Sequence, residues 1–232
     1  RVAVSWSGGK DSNLAMHLIA EKGGDELVCL VCFHPKDPKF RAHPIPMMRL
    51  QAEALQMPLV LLEVDADSHE GNYRKAYASC IQQLRREWSI DAIVTGDMDL
   101  VGTMPRNFVT ECCEIAALDP PMECLLPLWH ADRQGVLDQL LERGIRARFS
   151  CVKSPFFDES WIGRELDEKA VKEMQVIRER AGLDLCGENG EFHTSVIDGP
   201  LYNAEIFWDA VGGEAAEELE SAAGKADDVR WW

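Results

Sequence analysis

The chain has 232 residues, 46% of them hydrophobic and 28% charged, and a formal net charge of −16. This leaves ample apolar material for one large domain, or one main domain with a smaller companion. No run of about 18 uncharged apolar residues occurs, which excludes a membrane-spanning helix. The acidity counts against a nucleic-acid partner, because phosphate backbones need a basic patch; Arg85-Arg86, Arg143 to Arg148 and Arg178 to Arg180 are short and interleaved with acids.

In chain order, the sequence opens on the strand-like Val2 to Ser5, with no basic-then-apolar leader ahead of it. A Gly turn then leads into a helix from about Ser12 to Lys22, striped by Leu14, Leu18 and Ile19 and stopped by Gly23-Gly24. Leu27 to Phe33 reads as a strand, Met47 to Gln56 as a helix, and Pro58 to Val64 as a third strand. A helix from about Gly71 to Trp88 precedes the strand Ala92 to Thr95. Next come a helix near Asn107 to Ala117, a strand at Cys124 to Leu128, a helix at Asp132 to Arg143 and a strand at Ala147 to Val152. Ser154 to Gly163 reads as a loop, Asp167 to Ala181 as a helix and His193 to Asp198 as a strand. Gly212 to Asp228 is acidic and Ala/Glu/Gly-rich, and Trp231-Trp232 closes the chain. Strands separated by helices of this size predict βαβ units and a parallel sheet covered on both faces. The expected division is 1–128 for a nucleotide-binding domain and 129–232 for a smaller C-terminal α/β lobe.

Six of the eight cysteines (Cys29, Cys32, Cys80, Cys112, Cys113 and Cys151) lie in apolar stretches, where a thiol behaves as a small hydrophobe. Cys29 and Cys32 form a CxxC, but strand alternation turns their sulfurs to opposite faces. Nothing nearby completes a zinc set. Buried, reduced, structural cysteines are expected, and with them a cytoplasmic protein.

The densest chemical signal is Ser7-Gly8-Gly9-Lys10-Asp11-Ser12, set between a buried strand and a helix. Its glycines let backbone N–H groups approach an oxyanion, and the helix start adds partial positive charge. Lys10 adds a full charge, Ser7 and Ser12 offer hydroxyl donors, and Asp11 suggests a bound Mg²⁺ or a helix cap. The spacing is neither G-x-x-x-x-G-K-[ST] nor G-x-G-x-x-G, so a Walker loop and a dinucleotide fold are not indicated. The hexapeptide resembles the S-G-G-x-D-S signature of the PP-loop ATP pyrophosphatases. That resemblance implies a HUP-like α/β fold, ATP and Mg²⁺ as cofactors, and adenylation of an acceptor oxygen with release of pyrophosphate.

The second half narrows the acceptor. Cys186-Gly187-Glu188-Asn189-Gly190-Glu191-Phe192-His193-Thr194 followed by Asp198-Gly199-Pro200 resembles the diphthine–ammonia ligase family, as do Trp161 to Asp167 and Thr95-Gly96-Asp97. The likeness runs from about Val2 to Tyr202. It implies amide formation from ammonium and ATP on a diphthine-bearing translation elongation factor, as the partner protein. The related alternatives are amidation of another acceptor and modification of tRNA. A non-catalytic nucleotide sensor is a third reading, against which the intact hexapeptide argues.

By their chemistry alone, two carboxylates, an Asn and a His within six residues can bind a cation, and Glu191 or His193 could take a proton from ammonium. The expected site is Ser7, Gly8, Gly9, Lys10, Asp11, Ser12 and His34 for ATP, and the resemblance implies that Gly96 and Asp97 line it too. Glu188, Asn189, Gly190, Glu191, His193 and Thr194 are expected for the substrate, and Lys10, Asp11 and Glu191 for catalysis. No resident metal set is expected beyond Mg²⁺ carried with the nucleotide; Asp97 and Asp99 are as readily loop caps. His34 and His43 read more simply as satisfied surface histidines, and Trp6 as packing rather than adenine stacking. A homo-oligomer is left open.

Overall fold

In the computed structural model, residues 1–36, 42–65, 72–100, 102 and 104–207 are described. The expected acidic stretch Gly212 to Asp228 and the pair Trp231-Trp232 lie outside them. The chain divides into two units. The first comprises Arg1–Ser7, Asp11–Pro38 and Met57–His130; the second comprises Gly8–Lys10, Lys39–Gln56 and the chain from Ala131 onward.

The first unit is built on five parallel strands: β1 (Val2–Ser5), β2 (Leu27–His34), β3 (Leu59–Glu63), β4 (Ala92–Val94) and β5 (Glu123–Leu125). Their spatial order is β3-β2-β1-β4-β5. Ala3, Val4, Leu30, Val31, Ile93 and Val94 expose no surface, as continuous apolar runs do when both faces of a parallel sheet are covered. Helix α1 (Lys10–Lys22) follows β1, and α3 (Tyr73–Trp88) and α4 (Phe108–Ile115) cover the sheet through Tyr77, Ile81, Leu84, Val109 and Cys112. Asn72 and Asn107 start the latter two helices by accepting from the N–H groups of Lys75 and Thr110.

The strand order reverses at β1: the chain runs outward through β2 and β3, then returns to β4 on the other side of β1. The carboxyl ends of β1 and β4 therefore flank a topological switch point, where open α/β sheets place ligand residues.

The second unit holds α2 (Ile45–Ala54), α5 (Arg133–Glu142), α6 (Glu168–Ala181) and the antiparallel pair β6 (Arg146–Val152) and β7 (Phe192–Asp198). Phe149, Phe157, Trp161 and Phe192 pack as a ring cluster on one face of that pair, with centroids 4.8 to 5.9 Å apart. Asp132 and Asp167 cap α5 and α6, and Gly182 ends α6 in the left-handed region.

The α/β class with its parallel sheet is as expected. Two local expectations fail. The strand expected to reach Leu128 stops at Leu125, because Pro127 has no N–H to donate and 127–130 form a turn. The loop expected from Ser154 to Gly163 contains a 3-10 turn at Glu159–Trp161, started by Asp158, which accepts from Ser160 N. All eight cysteines are free, and seven are buried, with Cys124 half-buried. Desolvation pushes the Cys29 and Cys32 thiols up, to about 12 and about 11, so they are inert apolar fillers. Among the described residues no helix is long and apolar enough to cross a membrane.

Candidate functional site

Within the first unit, the hydroxyls of Ser7 and Ser12 lie 3.3 Å apart at the carboxyl end of β1. Gly96 follows β4. A Cβ there would sit 2.5 Å from the Asp11 carbonyl carbon and 2.7 Å from the Ser12 nitrogen. Only glycine lets the start of α1 approach the end of β4 this closely, which gives the Thr95-Gly96-Asp97 motif a physical reason. Asp97 accepts a 2.6 Å bond from the Asn107 side-chain amide. Asn107 in turn caps α4 with its own oxygen, so the helix cap fixes the carboxylate. Asp99 accepts from Leu100 N and serves as a loop cap. His34, at the end of β2, has Nδ1 2.8 Å from the Pro35 carbonyl. Trp6 is buried, as packing requires.

In the second unit, Gly8 adopts φ +75° and any Cβ would overlap the Gln51 side chain. Its carbonyl accepts from Val196 N at 2.9 Å and from Gln51 Nε2 at 2.9 Å. The same amide nitrogen donates to the Val196 carbonyl at 2.8 Å, and Gln51 is fully buried. In a trans peptide the N–H lies opposite the carbonyl. Locking the Gly8 carbonyl onto β7 therefore aims the Gly9 N–H away from that strand, as an oxyanion cradle needs.

Lys10 is buried in the same unit. Its backbone N–H donates to Thr194 Oγ1 at 3.1 Å, and its ammonium donates to the Cys186 carbonyl at 2.5 Å. The ammonium also lies 5.1 Å from the centre of the Phe192 ring, a cation–π distance.

Two carboxylates build the turn that presents this carbonyl. Asp184 accepts from the N–H groups of Cys186 (2.8 Å) and Glu188 (3.4 Å) and from Arg133 Nε (3.1 Å). Burial alone would raise its pKa, but these donors outweigh it and hold the carboxyl below its usual range. Glu191 is buried and accepts from Asp184 N (3.1 Å), Asn189 N (3.0 Å) and the Asn189 amide (3.2 Å). Gly187 and Gly190 take positive φ to close the turn.

These bonds give Glu191 a structural role that the sequence did not reveal. Its two oxygens accept three hydrogen bonds, which tie it into the turn. Glu188 and Asn189 are exposed, while Thr194 is buried against Lys10.

His43 is not a satisfied surface histidine. Its ring packs edge-on to His193 with centroids 5.1 Å apart, and its Nδ1 is buried without a hydrogen-bond partner among the described residues. Desolvation, with His193 and Lys10 nearby, lowers its pKa to about 3, so it is neutral at physiological pH. Gln51 was also missed, although a signal was present. It falls on the α2 stripe of Met47, Met48 and Leu55, where a polar residue needs a buried partner. Among the described residues no group of three or more His, Cys, Asp or Glu is arranged for a metal ion.

Comparison with known proteins adds an independent line. The chain matches the diphthamide synthase N-terminal domain over residues 1–119 and the diphthamide synthase C-terminal domain over residues 132–219. Similar curated proteins all carry the name diphthine–ammonia ligase. One from Danio rerio is 24% identical over 229 residues, covering 90% of this chain and 87% of the relative. One from Homo sapiens is 24% identical over 234 residues, covering 90% and 83%. One from Schizosaccharomyces pombe is 27% identical over 219 residues, covering 86% of this chain but 34% of the relative, so the chain spans about a third of that protein.

Proposed function

The chain belongs to the diphthamide synthase family, and from that premise and the site's chemistry we propose that it is an ATP-dependent, AMP-forming carbon–nitrogen ligase. Its acceptor is the carboxylate of diphthine on a translation elongation factor, and its nucleophile is ammonia. Residues 1–128 carry the nucleotide chemistry and 129–232 the acceptor chemistry, with Gly8–Lys10 and α2 packed among the latter. The eight free cysteines suit the cytoplasm.

The observation that carries this reading is the double anchoring of the Gly8 carbonyl beside a buried Lys10. Such an arrangement suits an anion, because backbone N–H groups and a cation held in place need little rearrangement at the moment of reaction. Gly9 N–H, Lys10 and the Ser7 and Ser12 hydroxyls hold the β- and γ-phosphates of ATP. The acceptor carboxylate attacks the α-phosphorus, the bond to the β-phosphate oxygen breaks, and pyrophosphate leaves. Ammonia then attacks the activated acyl carbon and AMP departs, with one proton lost from nitrogen. Lys10 stabilises the charge that develops on the leaving pyrophosphate.

Mg²⁺ needs only one or two protein carboxylates when phosphates supply its other ligands. Asp11 and Asp97, beside the phosphate loop and β4, would hold it, and it would neutralise phosphate charge. Exposed Glu188 and Asn189, with His193 and Thr194, line the acceptor side, where a carboxylate suits a cationic acceptor or ammonium itself.

The test is the nucleotide product formed from ATP, Mg²⁺ and ammonium, with and without diphthine-bearing elongation factor. AMP and pyrophosphate formed only with the factor are expected. AMP formed regardless of the factor would remove the acceptor assignment, and ADP would remove the mechanism.

A further inference from the structure

The β6–β7 pair has two faces. One carries the ring cluster of Phe149 and Phe192. The other is polar. Arg148 stands opposite Ser195 in the antiparallel register, so the two side chains leave the same face; His193, two residues before Ser195, shares it.

The segment Ala42-His43 covers this face. Ser150 Oγ donates to the Ala42 carbonyl at 2.9 Å, and the His43 ring meets His193 edge-on. Arg148 Nε is buried and has no hydrogen-bond partner among the described residues. His43 Nδ1 is buried and lacks one as well. Each such atom is expensive, since a buried polar atom left unpaired costs about 1–3 kcal/mol. Native folds pair such groups with ordered water, an ion or a ligand, or keep them for a catalytic role.

The neighbouring charge defines what would pair with them. Lys10 is near enough to act on His43, as is His193. Glu165, which bridges to Arg148 through the backbone, has its carboxylate bonded at both oxygens to Arg146. Arg146 chiefly, and Arg148 with it, hold the Glu165 carboxyl below its usual range, so that carboxylate sits beside the face with both oxygens bonded to Arg146.

We infer that Arg148, His43 and His193 form a binding site for a single oxyanion, a carboxylate or a terminal phosphate. Arg148 supplies the charge, and its Nε–H suits an in-plane oxygen. His43 donates from Nδ1 in the tautomer that the anion selects, and His193 closes the side. If the proposed ligase reaction holds, the anion is either the acceptor's carboxylate or a nucleotide phosphate. The site itself stands on the unpaired donors, independently of that reaction.

The experiment is an NMR titration of the intact chain with its histidine rings labelled with ¹⁵N, using acetate in one arm and inorganic phosphate in the other. A saturable shift of the His43 ring nitrogens, with His193 responding, is expected from one of the two anions. Acetate would identify a carboxylate site, and phosphate a nucleotide site. In Arg148→Gln the apparent Kd should rise at least about tenfold, the size of one charge-assisted bond. His43→Asn, read through His193, should weaken the same anion should Arg148→Gln fail to fold. No saturable shift in either arm, or an unchanged Kd in the folded variants, would overturn the site. The titration uses neither ATP nor an acceptor protein, so its failure leaves the ligase proposal to its own assay.

Discussion

The two units use opposite materials. The parallel sheet of the first is held by side chains with nothing to satisfy: Ala3, Val4, Leu30, Val31, Ile93 and Val94 are wholly buried and apolar. The second unit has its ring cluster, but its chemistry rests on buried polar groups. Gln51, Lys10, Glu191 and Thr194 are all buried, and the first three are tied to backbone atoms between 2 and 176 positions away. An apolar core tolerates change in proportion to the volume removed. A buried polar network fails by whole bonds. The difference predicts where each unit should break.

The largest effect is expected from Ile93→Ala in β4. Ile93 exposes no surface and packs among residues of β1, α3 and α4, so the truncation should cost about 2–5 kcal/mol in denaturant unfolding. Isovolumetric Ile93→Leu should cost less than about 1.5 kcal/mol. Equal losses from both would mean that shape, not volume, governs this unit, and the contrast would weaken.

Gly96→Ala tests where the apolar unit meets its chemistry. The added methyl would press on backbone atoms of Asp11 and Ser12, which cannot swing away as a side chain would. Stability should fall by about 1–3 kcal/mol, while turnover falls roughly 100-fold through displacement of the α1 start. Full activity with unchanged stability would show that the close approach is unimportant.

Much of the first unit was legible because its physics is local. Strand and helix periodicities and the position of Thr95-Gly96-Asp97 at a strand end were all present in short windows. The second unit was less so. The role of Gln51 depends on Gly8 and Val196, which are 43 and 145 positions away. Glu191 looked like a free carboxylate because its donors, Asp184 N–H and Asn189, appear only when the turn closes. His43 looked like a surface residue because its covering partner, His193, lies 150 positions later in the chain.

Gln51→Leu should therefore cost more than its size suggests. Leucine fills similar volume, yet the Val196 carbonyl loses its side-chain donor and the Gly8 carbonyl loses one of two. A loss of about 1–3 kcal/mol is expected for the stranded acceptor. Pyrophosphate affinity should fall with it, because the loop's peptide orientation is no longer fixed. Unaltered affinity would show that the Val196 N–H alone holds Gly8 in place.

The smallest effect should come from acid, and it isolates one histidine. The His43 pKa is about 3 in the folded protein and about 6.5 when unfolded, so between these values the unfolded chain binds more protons. Stability then rises with pH across that window and is lost as pH falls below about 6.5. Going from pH 7 to 5.5 should remove about 1 kcal/mol by this route. Asp184, held low, should begin to contribute only at more acidic pH. His43→Gln should flatten the pH 7 to 5.5 segment of the stability curve relative to the parent chain. The comparison belongs in a buffer free of carboxylate and phosphate, since an oxyanion bound beside His43 would raise its pKa and mask the loss. A variant with the same slope as the parent would mean that His43 is solvated in the folded protein, and its unpaired nitrogen would then need no ligand.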